Sequence, residues 1–449
     1  IDELTTYFQF VDKGPIFIST FYPFPNNHFF FNHIYFFSSL LVDDILLAGR
    51  LPSMIFFHFL LILLFFWVLV YLKDKYAAFL SILLCALLFP SSIYGVEARG
   101  YMLLSFLAVV AALSLLLAIE TRKRLYLYIF VPACVLAAYT VPVFFIPFMG
   151  MMIFGCATAL FSKNKKLFHR LLISGFCVGT GVLFIYLPVF LFSGTGAVIN
   201  NPFVTSLEVN DFYSRIFPIV TAEMFSFLAG IPTKGWAIFL LLGVSGMWVF
   251  MASNQRRRLW LGFTACIVGC LFLYTLIRKS MMFERSATYN VYFLYTTFAL
   301  IIFHFFNYFS RLRSYRRLAL LLLVGLLMPL AYYQYQYNRY ENHLLPDPFY
   351  TKSRRILDDA VAENTPVYLG DELLNSYRMV YYQYRLSQAE KPSLLQYAYQ
   401  NAEILMVNQH KLEILDYDLS NYIVIDSIPY IEGEPENLVL VYKKIKNSQ

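Results

Sequence analysis

Charged side chains that could take part in chemistry stand outside the long apolar runs of this sequence. Asp2 and Glu3 come near the start of the chain, ahead of Asn27 and His28. A carboxylate held beside a polar loop can deprotonate an incoming hydroxyl. An acidic pair that is simply hydrated has the same spacing, so both interpretations stay open. His28 is either a polar residue at the start of a helix or a contact to a metal or a phosphate.

A second group of polar side chains, Glu97, Arg99 and Tyr101, occupies a short turn between two apolar runs. The acid could bind a sugar hydroxyl. The arginine could bind a phosphate, because a guanidinium group recognises phosphate oxygens in pairs. Anchoring of the turn at a membrane interface accounts for the same residues equally well.

The composition identifies the chain as a membrane protein. Its 449 residues are 59% hydrophobic and 14% charged, whereas soluble domains carry about 25% charged residues. The net charge of +7 is spread over short clusters between apolar runs, which argues against a nucleic-acid partner. Ten apolar runs without Asp, Glu, Lys or Arg predict membrane-spanning helices at 51–72, 76–92, 101–119, 125–141, 143–161, 171–192, 236–253, 259–277, 289–309 and 318–333.

Charges in the loops predict the orientation. One alternate set of loops carries 16 Lys or Arg and two acids, whereas the opposite set, at 1–50, 93–100, 193–235 and 278–288, carries eight bases and ten acids. Positively charged loops stay in the cytoplasm, so the second set is predicted to be extracytoplasmic. Residues 28–42 are apolar but too few to span a bilayer, which predicts a juxtamembrane helix. The chain starts at Ile1, and we expect a signal or first transmembrane helix ahead of it.

The loop at 278–288 departs from this orientation rule. Arg278, Lys279 and Arg285, with Glu284 among them, form a cationic cluster on the side where cations are disfavoured. This indicates an anionic ligand such as a lipid phosphate. Charges that merely stay hydrated are the alternative. The long loop at 193–235 is typical of an amphipathic lid on the bilayer.

From residue 344 onward the composition is that of a soluble module. Thr351 is a candidate cap for a helix through Asn364, and strand-like runs follow at 366–369, 404–407, 422–425 and 438–442. We therefore predict an α-helical polytopic membrane protein with a small C-terminal α/β domain. Residues 1–343 form the transmembrane domain, with a first external loop at 1–50 and about ten spans within 51–333. Residues 344–449 form an extracytoplasmic α/β domain.

The order of these motifs resembles the membrane glycosyltransferases of the GT-C fold, in particular the family of the protein O-mannosyltransferases and the lipid A aminoarabinose transferase. The resemblance covers about residues 1–335. It rests on Asp2-Glu3, Pro25-Asn26-Asn27-His28, Arg50-Leu51-Pro52-Ser53, Glu97-Ala98-Arg99-Gly100-Tyr101, and Arg285 ahead of Tyr289. That family often has His-Pro in the first loop, whereas here Phe29 follows His28.

The resemblance implies an inverting glycosyltransferase at a bacterial inner membrane, with its site and C-terminal domain on the extracytoplasmic face. It would move a sugar from a polyprenyl-phosphate donor to a hydroxyl of a lipid, glycan or protein acceptor, in contact with membrane lipid. Asp2, with Glu3 beside it, would be catalytic. The predicted substrate-binding residues are Asn27, His28, Glu97, Arg99, Tyr101, Glu284 and Arg285. No cofactor is required by the resemblance, and a divalent metal at His28 stays open.

Two other classes of protein fit the composition. A lipid or sugar transporter or flippase without catalytic activity would carry ionisable groups in its spans and show internal repeats. The sequence shows no Asp, Glu, Lys or Arg in any predicted span and no detectable repeat. A non-catalytic envelope scaffold would leave Asp2, Glu97 and Arg285 dispensable.

Overall fold

In the computed structural model of the protein, apolar helices make up most of the chain. It describes residues 2–22, 27–199, 212–230, 235–279, 284–310, 332, 348–370, 394–396, 399–409, 418–429 and 438–445. The helices are α1 (Asp2–Gln9), α2 (Pro15–Thr20), α3 (Phe29–Ser39), α4 (Ile45–Phe66), α5 (Lys75–Leu87), α6 (Phe89–Tyr94), α7 (Tyr101–Thr121), α8 (Leu125–Thr140), α9 (Phe145–Phe161), α10 (Lys165–Phe192), α11 (Thr195–Ile199), α12 (Phe217–Ala229), α13 (Gly235–Ala252), α14 (Gln255–Arg278), α15 (Tyr289–Ser310) and α16 (Pro348–Ala362).

The chain divides into two units. The larger is Phe10–Tyr337, and the smaller combines Ile1–Gln9 with Asn338–Gln449. Helix α1 therefore belongs to the same unit as the C-terminal domain, although the sequence placed its residues in the transmembrane domain. The predicted domain boundary at residues 343 and 344 stays a prediction.

Six helical segments among the described residues are long and apolar enough to cross a membrane: Ile45–Tyr71, Tyr101–Thr121, Pro142–Phe161, Lys165–Phe192, Gln255–Arg278 and Tyr289–Phe306. Four shorter apolar helices accompany them: Lys75–Leu87, Leu125–Thr140, Phe217–Ala229 and Gly243–Ala252. The chain is thus an α-helical integral membrane protein, which confirms the predicted fold class. Apart from residue 332, the span predicted at 318–333 lies outside the described residues. The same is true of Pro25, Asn26 and residues 200–211 and 231–234 of the predicted lid.

The span predicted at 76–92 is wrong in extent. Helix α5 ends at Leu87, and Leu88 is extended before the short helix α6 begins. Pro90 lacks the N–H that a continuous helix would need at this position. The chain therefore breaks the helix between α5 and α6 before it enters the polar turn, and α6 does not continue the axis of α5.

Helix α7 is the centre of the larger unit. Its residues are buried on all sides, as expected for an apolar helix that other helices surround. It packs against α4, α8, α9 and α15. Helix α3 has 11 residues, about 16 Å at 1.5 Å per residue, and is too short to cross the hydrocarbon core, in keeping with the predicted juxtamembrane helix.

Two ion pairs join helix ends on the predicted cytoplasmic side. Arg256 Nε donates to Glu120 Oε1 at 2.7 Å, and Arg257 Nη2 donates to Asp74 Oδ2 at 2.9 Å. Asp74 also caps α5 by accepting from the N–H of Ala77 at 3.0 Å. The two acids of the predicted cytoplasmic loops thus hold helices together.

The smaller unit contains a five-stranded sheet in the order β2-β1-β3-β5-β4. The strands are β1 (Val367–Leu369), β2 (Leu395–Gln396), β3 (Ile404–Asn408), β4 (Tyr422–Pro429) and β5 (Leu438–Lys444). β1 is parallel to β2 and β3, whereas β5 is antiparallel to β3 and β4. The four predicted strands are confirmed, and β2 is additional. Thr351 is not a cap, because α16 already begins at Pro348.

Candidate functional site

His28 joins two of the motifs that the sequence singles out. The N–H of Gly100 donates to Nδ1 of His28 at 2.8 Å, and the ring of Tyr101 stands edge-on to the imidazole, with ring centres 4.9 Å apart. His28 is 2% exposed. A Cβ at position 100 would lie 2.6 Å from Nδ1 of His28. The close approach of these two segments therefore requires glycine at this position.

The bond from Gly100 assigns the tautomer of His28. Since Nδ1 accepts a hydrogen bond, the neutral ring carries its hydrogen on Nε2. Burial lowers the pKa of His28 well below its usual value, and the positive charges of Arg99 and Arg285 lower this pKa further. The imidazole is therefore neutral at pH 7 and presents Nε2–H as a donor. Arg99 and Arg285, from separate loops, both act on this ring through their charge.

Ser53 fixes the turn that carries Glu97 and Arg99. Its Oγ donates to the carbonyl oxygen of Glu97 at 2.7 Å and to that of Arg99 at 3.4 Å. Gly49, one turn earlier in α4, lets the turn come close, because a Cβ there would lie 2.7 Å from the Cβ of Ala98. The Arg50-Leu51-Pro52-Ser53 motif thus supplies a backbone anchor for the candidate site.

Tyr94 marks the place where the turn and the later loop approach each other. Its ring centre lies 5.3 Å from that of Tyr101. Burial raises the pKa of Tyr94; Glu97 raises this pKa further, Arg285 lowers it and Glu284 raises it. Charges act on a pKa at short range, so the charges of these three side chains lie in the neighbourhood of one phenol. Tyr94 is not among the residues predicted from the sequence; its only signal is its place at the end of an apolar run, close to Glu97.

Glu284 lies half-buried in the turn Glu284–Ala287 between α14 and α15. Burial raises the pKa of Glu284, and the negative charge of Glu223 on α12 raises it further. Thr288 closes this turn, because its Oγ1 donates to the carbonyl oxygen of Arg285 at 2.6 Å. Arg99 in turn lies over the ring of Tyr101, with Cζ 5.7 Å from the ring centre.

Asn27 is bound to the protein itself. Its Nδ2 donates to the carbonyl oxygens of Ile18 and Phe21 at 2.9 and 2.8 Å, and its Oδ1 accepts from Nδ2 of Asn32 at 2.8 Å. The amide therefore holds the chain in place ahead of α3. Substrate binding by Asn27 stays a prediction.

The predicted catalytic pair lies in the other unit. Asp2 and Glu3 begin α1, and Glu3 is 5% exposed. His28, Glu97, Arg99, Tyr101, Glu284 and Arg285 all belong to the larger unit. The catalytic roles of Asp2 and Glu3 therefore stay predictions.

The chemistry of the cluster around His28 suits an anion. Guanidinium groups and an imidazole N–H are donors to phosphate or carboxylate oxygens. Within the described ranges, no three His, Cys, Asp or Glu side chains come together as metal ligands would. A divalent metal at His28 stays an untested prediction.

An apolar cavity of about 520 Å³ lies between α12, α13, α14 and α15. Phe225, Leu261 and Phe298 line it, and glycines at 243, 246, 262 and 269 leave it room. Helices α14 and α15 are also the two helices that the turn with Glu284 and Arg285 connects. One pair of helices therefore carries both a part of the polar cluster and a wall of the apolar cavity.

Comparison with known proteins confirms the fold. No protein-family model and no curated protein matches the sequence. Two crystal structures of ArnT from Cupriavidus metallidurans, one in the apo state and one bound to undecaprenyl phosphate, are similar along nearly the whole chain. Each is 12% identical, with a TM-score of 0.58, over 98% of this chain and 92% of theirs. The chain has the GT-C fold of ArnT, as the order of its sequence motifs predicted.

Proposed function

We propose that the chain is an inverting glycosyltransferase that moves a sugar from a polyprenyl-phosphate donor to a hydroxyl of a lipid, glycan or protein acceptor. The observation that carries this proposal is the buried imidazole of His28, which accepts from the N–H of Gly100 and stands edge-on to Tyr101. Arg99 lies over the ring of Tyr101, and the charges of Arg99 and Arg285 both act on the imidazole. Two guanidinium groups and one N–H donor are the groups that bind a phosphate. The fold adds support, since one of the similar ArnT structures is bound to undecaprenyl phosphate.

The cavity between α12 and α15 supports the lipid part of this proposal. Its volume of about 520 Å³ falls in the usual range of ligand pockets, and its lining is apolar. The first isoprene units of the donor would lie there, with the phosphate at the turn that carries Arg285. The donor would then be held by apolar contact along its chain and by charge at its head.

The reaction would be a single displacement at the anomeric carbon. The acceptor oxygen forms a bond to that carbon, and its proton passes to a carboxylate base, the role that the sequence predicts for Asp2. The bond from the carbon to the phosphate oxygen breaks, and the phosphate keeps the electron pair. Arg99 and Arg285 compensate the charge that develops there. No separate general acid is needed, and His28 donates a hydrogen bond while it keeps its proton.

A transporter is the competing candidate. Transporters bind their substrates near the bilayer midplane, through ionisable groups and broken helices. In this chain the candidate groups lie at helix ends instead, in the turn before α7 and in the turn before α15. The central helix α7 has no ionisable residue between Tyr101 and Glu120, and this favours an enzyme with its site at the membrane surface.

The test uses the full chain in detergent with undecaprenyl phosphate as the first probe. Arg99→Ala and Arg285→Ala should each weaken its binding about tenfold or more, because each removes a hydrogen bond between charged groups. Arg124→Ala is the matched control, since Arg124 is an exposed arginine of a predicted cytoplasmic loop, and it should bind as the wild type does.

The second measurement is transfer from a panel of undecaprenyl-phosphate-linked sugars. The wild type should transfer one of these sugars to an acceptor, and Asp2→Asn should abolish transfer while lipid binding persists. The proposal fails if the wild type binds no polyprenyl phosphate, or if it moves the intact lipid across a bilayer without transfer. Full activity of Asp2→Asn would remove Asp2 as the base.

A further inference from the structure

Two neighbouring side chains at the start of α15 bury polar atoms that make no hydrogen bond with the described residues. Tyr289 and Asn290 are both 0% exposed. The hydroxyl of Tyr289 and both polar atoms of the Asn290 amide have no hydrogen-bond partner in the part of the chain that the structure describes. The hydroxyl comes near the amide without the geometry of a hydrogen bond. Such buried atoms are rare and costly, and each calls for an explanation.

Asn290 lies on the face of α15 that lines the apolar cavity. Leu294, Thr297 and Phe298 line this cavity and follow Asn290 by four, seven and eight residues, which is the spacing of one helix face. Helical side chains lean toward the N-terminus of their helix. The amide therefore leans from the cavity face toward the turn that carries Arg285.

The amide differs from the phosphate cluster in its chemistry. An asparagine side chain offers N–H donors and a carbonyl acceptor, and a tyrosine hydroxyl both donates and accepts. A phosphate ester only accepts, so it would leave the carbonyl oxygen of Asn290 without a donor. A sugar hydroxyl donates and accepts, so it matches both atoms of the amide.

We propose that Asn290, with Tyr289 beside it, binds a hydroxyl group of the sugar that the donor lipid carries. This inference rests on the proposed function and names the part of the donor that these residues recognise. The lipid chain would occupy the cavity below the amide. The phosphate, which links the lipid to the sugar, would lie at the Arg285 turn. The sugar would fold back from the phosphate onto the first turn of α15.

The structure provides a matched pair of variants. Asn290→Leu replaces the amide by an apolar group of similar size. Thr296→Val replaces a hydroxyl by a methyl group of similar size. Thr296 is 0% exposed, and its hydroxyl has no partner among the described residues. Thr296 lies about 120° from Asn290 around the axis of α15. Both variants remove a buried polar group without a partner, so both should unfold at a higher temperature than the wild type in the absence of lipid.

Lipid binding separates the two variants. The full chain in detergent is titrated with undecaprenyl phosphate, and with undecaprenyl-phosphate-linked glucose, mannose and aminoarabinose. For whichever sugar-linked lipid the wild type binds, Asn290→Leu should bind about tenfold more weakly, or about 1.4 kcal/mol. Its binding of undecaprenyl phosphate without sugar should be unchanged. Thr296→Val should bind both lipids as the wild type does.

Two results would overturn the assignment. An equal loss for both lipids in Asn290→Leu would mean that the amide serves the phosphate or the shape of the site. Unchanged binding of both would mean that the amide only holds a trapped water or a helix contact. Asn290→Ala is a second variant with the same expectation if the leucine does not fit. A wild type that binds no sugar-linked lipid would refute the proposed function itself, whereas either of the two results above would refute this inference alone.

Discussion

Alanine at position 100 would test the geometry on which the proposed phosphate site depends. The backbone of Gly100, with φ −68° and ψ −2°, accepts alanine without strain, so the substitution adds only a methyl group. That methyl carbon would lie 2.6 Å from Nδ1 of His28 and 2.9 Å from Cγ2 of Thr140, whereas comfortable contacts are about 3.5–4.0 Å. The imidazole must move, and the bond from the N–H of Gly100 is lost with it.

The size of the effect follows from two costs. Overpacking a filled interior costs about 1–3 kcal/mol, and the loss of one buried hydrogen bond costs about 0.5–1.5 kcal/mol. We therefore expect Gly100→Ala to reduce the free energy of unfolding by about 2–4 kcal/mol. A displaced Nε2–H no longer reaches the phosphate of the donor, so undecaprenyl phosphate should bind about tenfold more weakly.

Thermal unfolding and lipid titration in the same detergent measure both effects. The control is Gly179→Ala in α10, where a Cβ would meet no atom within 4 Å. In the middle of a helix alanine is favoured over glycine by about 0.5–1 kcal/mol, so this control should be as stable as the wild type or more stable. If Gly100→Ala unfolded and bound lipid as the wild type does, the contact between Gly100 and His28 would be refuted.

Three further substitutions test charges and caps. His28→Asn keeps an acceptor for the N–H of Gly100 but has no group that titrates near neutral pH. Because the pKa of His28 is lowered on folding, the wild type should lose stability below about pH 6.5. The variant should lose less stability over the same pH range. Glu223→Gln should raise the unfolding temperature at pH 7 and not at pH 4, since Glu223 raises the pKa of Glu284; equal gains at both pH values would exclude this charge effect. Asp74→Ala should be about 1 kcal/mol less stable than Asp74→Asn, which keeps a cap oxygen, by chemical unfolding in mild detergent; equal stabilities would deny the cap.

Local patterns account for what the sequence could predict. The apolar runs gave the membrane class, because length and lack of charge decide whether a segment can cross a bilayer. The runs at 404–407 and 438–442 gave β3 and β5, because β-branched and aliphatic residues between polar loops favour strands. The turn with Glu97 and Arg99 stood out because it places charged residues between two apolar runs, 76–92 and 101–119.

Contacts between residues that are distant in the sequence could not be predicted from local patterns. His28 and Gly100 are 72 positions apart, and their bond exists only because α3, α4 and α7 come together around Gly49 and Ser53. Asn290 is an ordinary polar residue at a helix start until its burial is known. Helix α1 joins the smaller unit, although no pattern within Asp2–Gln9 indicates a partner more than 300 residues away.

The two predicted faces of the protein use arginine for different purposes. On the cytoplasmic side, Arg256 and Arg257 each donate to a carboxylate, and the charges join helices. On the other side, burial lowers the pKa of His28, and the charges of Arg99 and Arg285 lower it further, so the imidazole stays neutral. Arginine stays charged at any physiological pH, and His28 holds no positive charge there. The charge that these three groups would present to a phosphate is therefore constant across neutral pH, so they would add no pH dependence to its binding, unlike a site in which histidine supplies the charge.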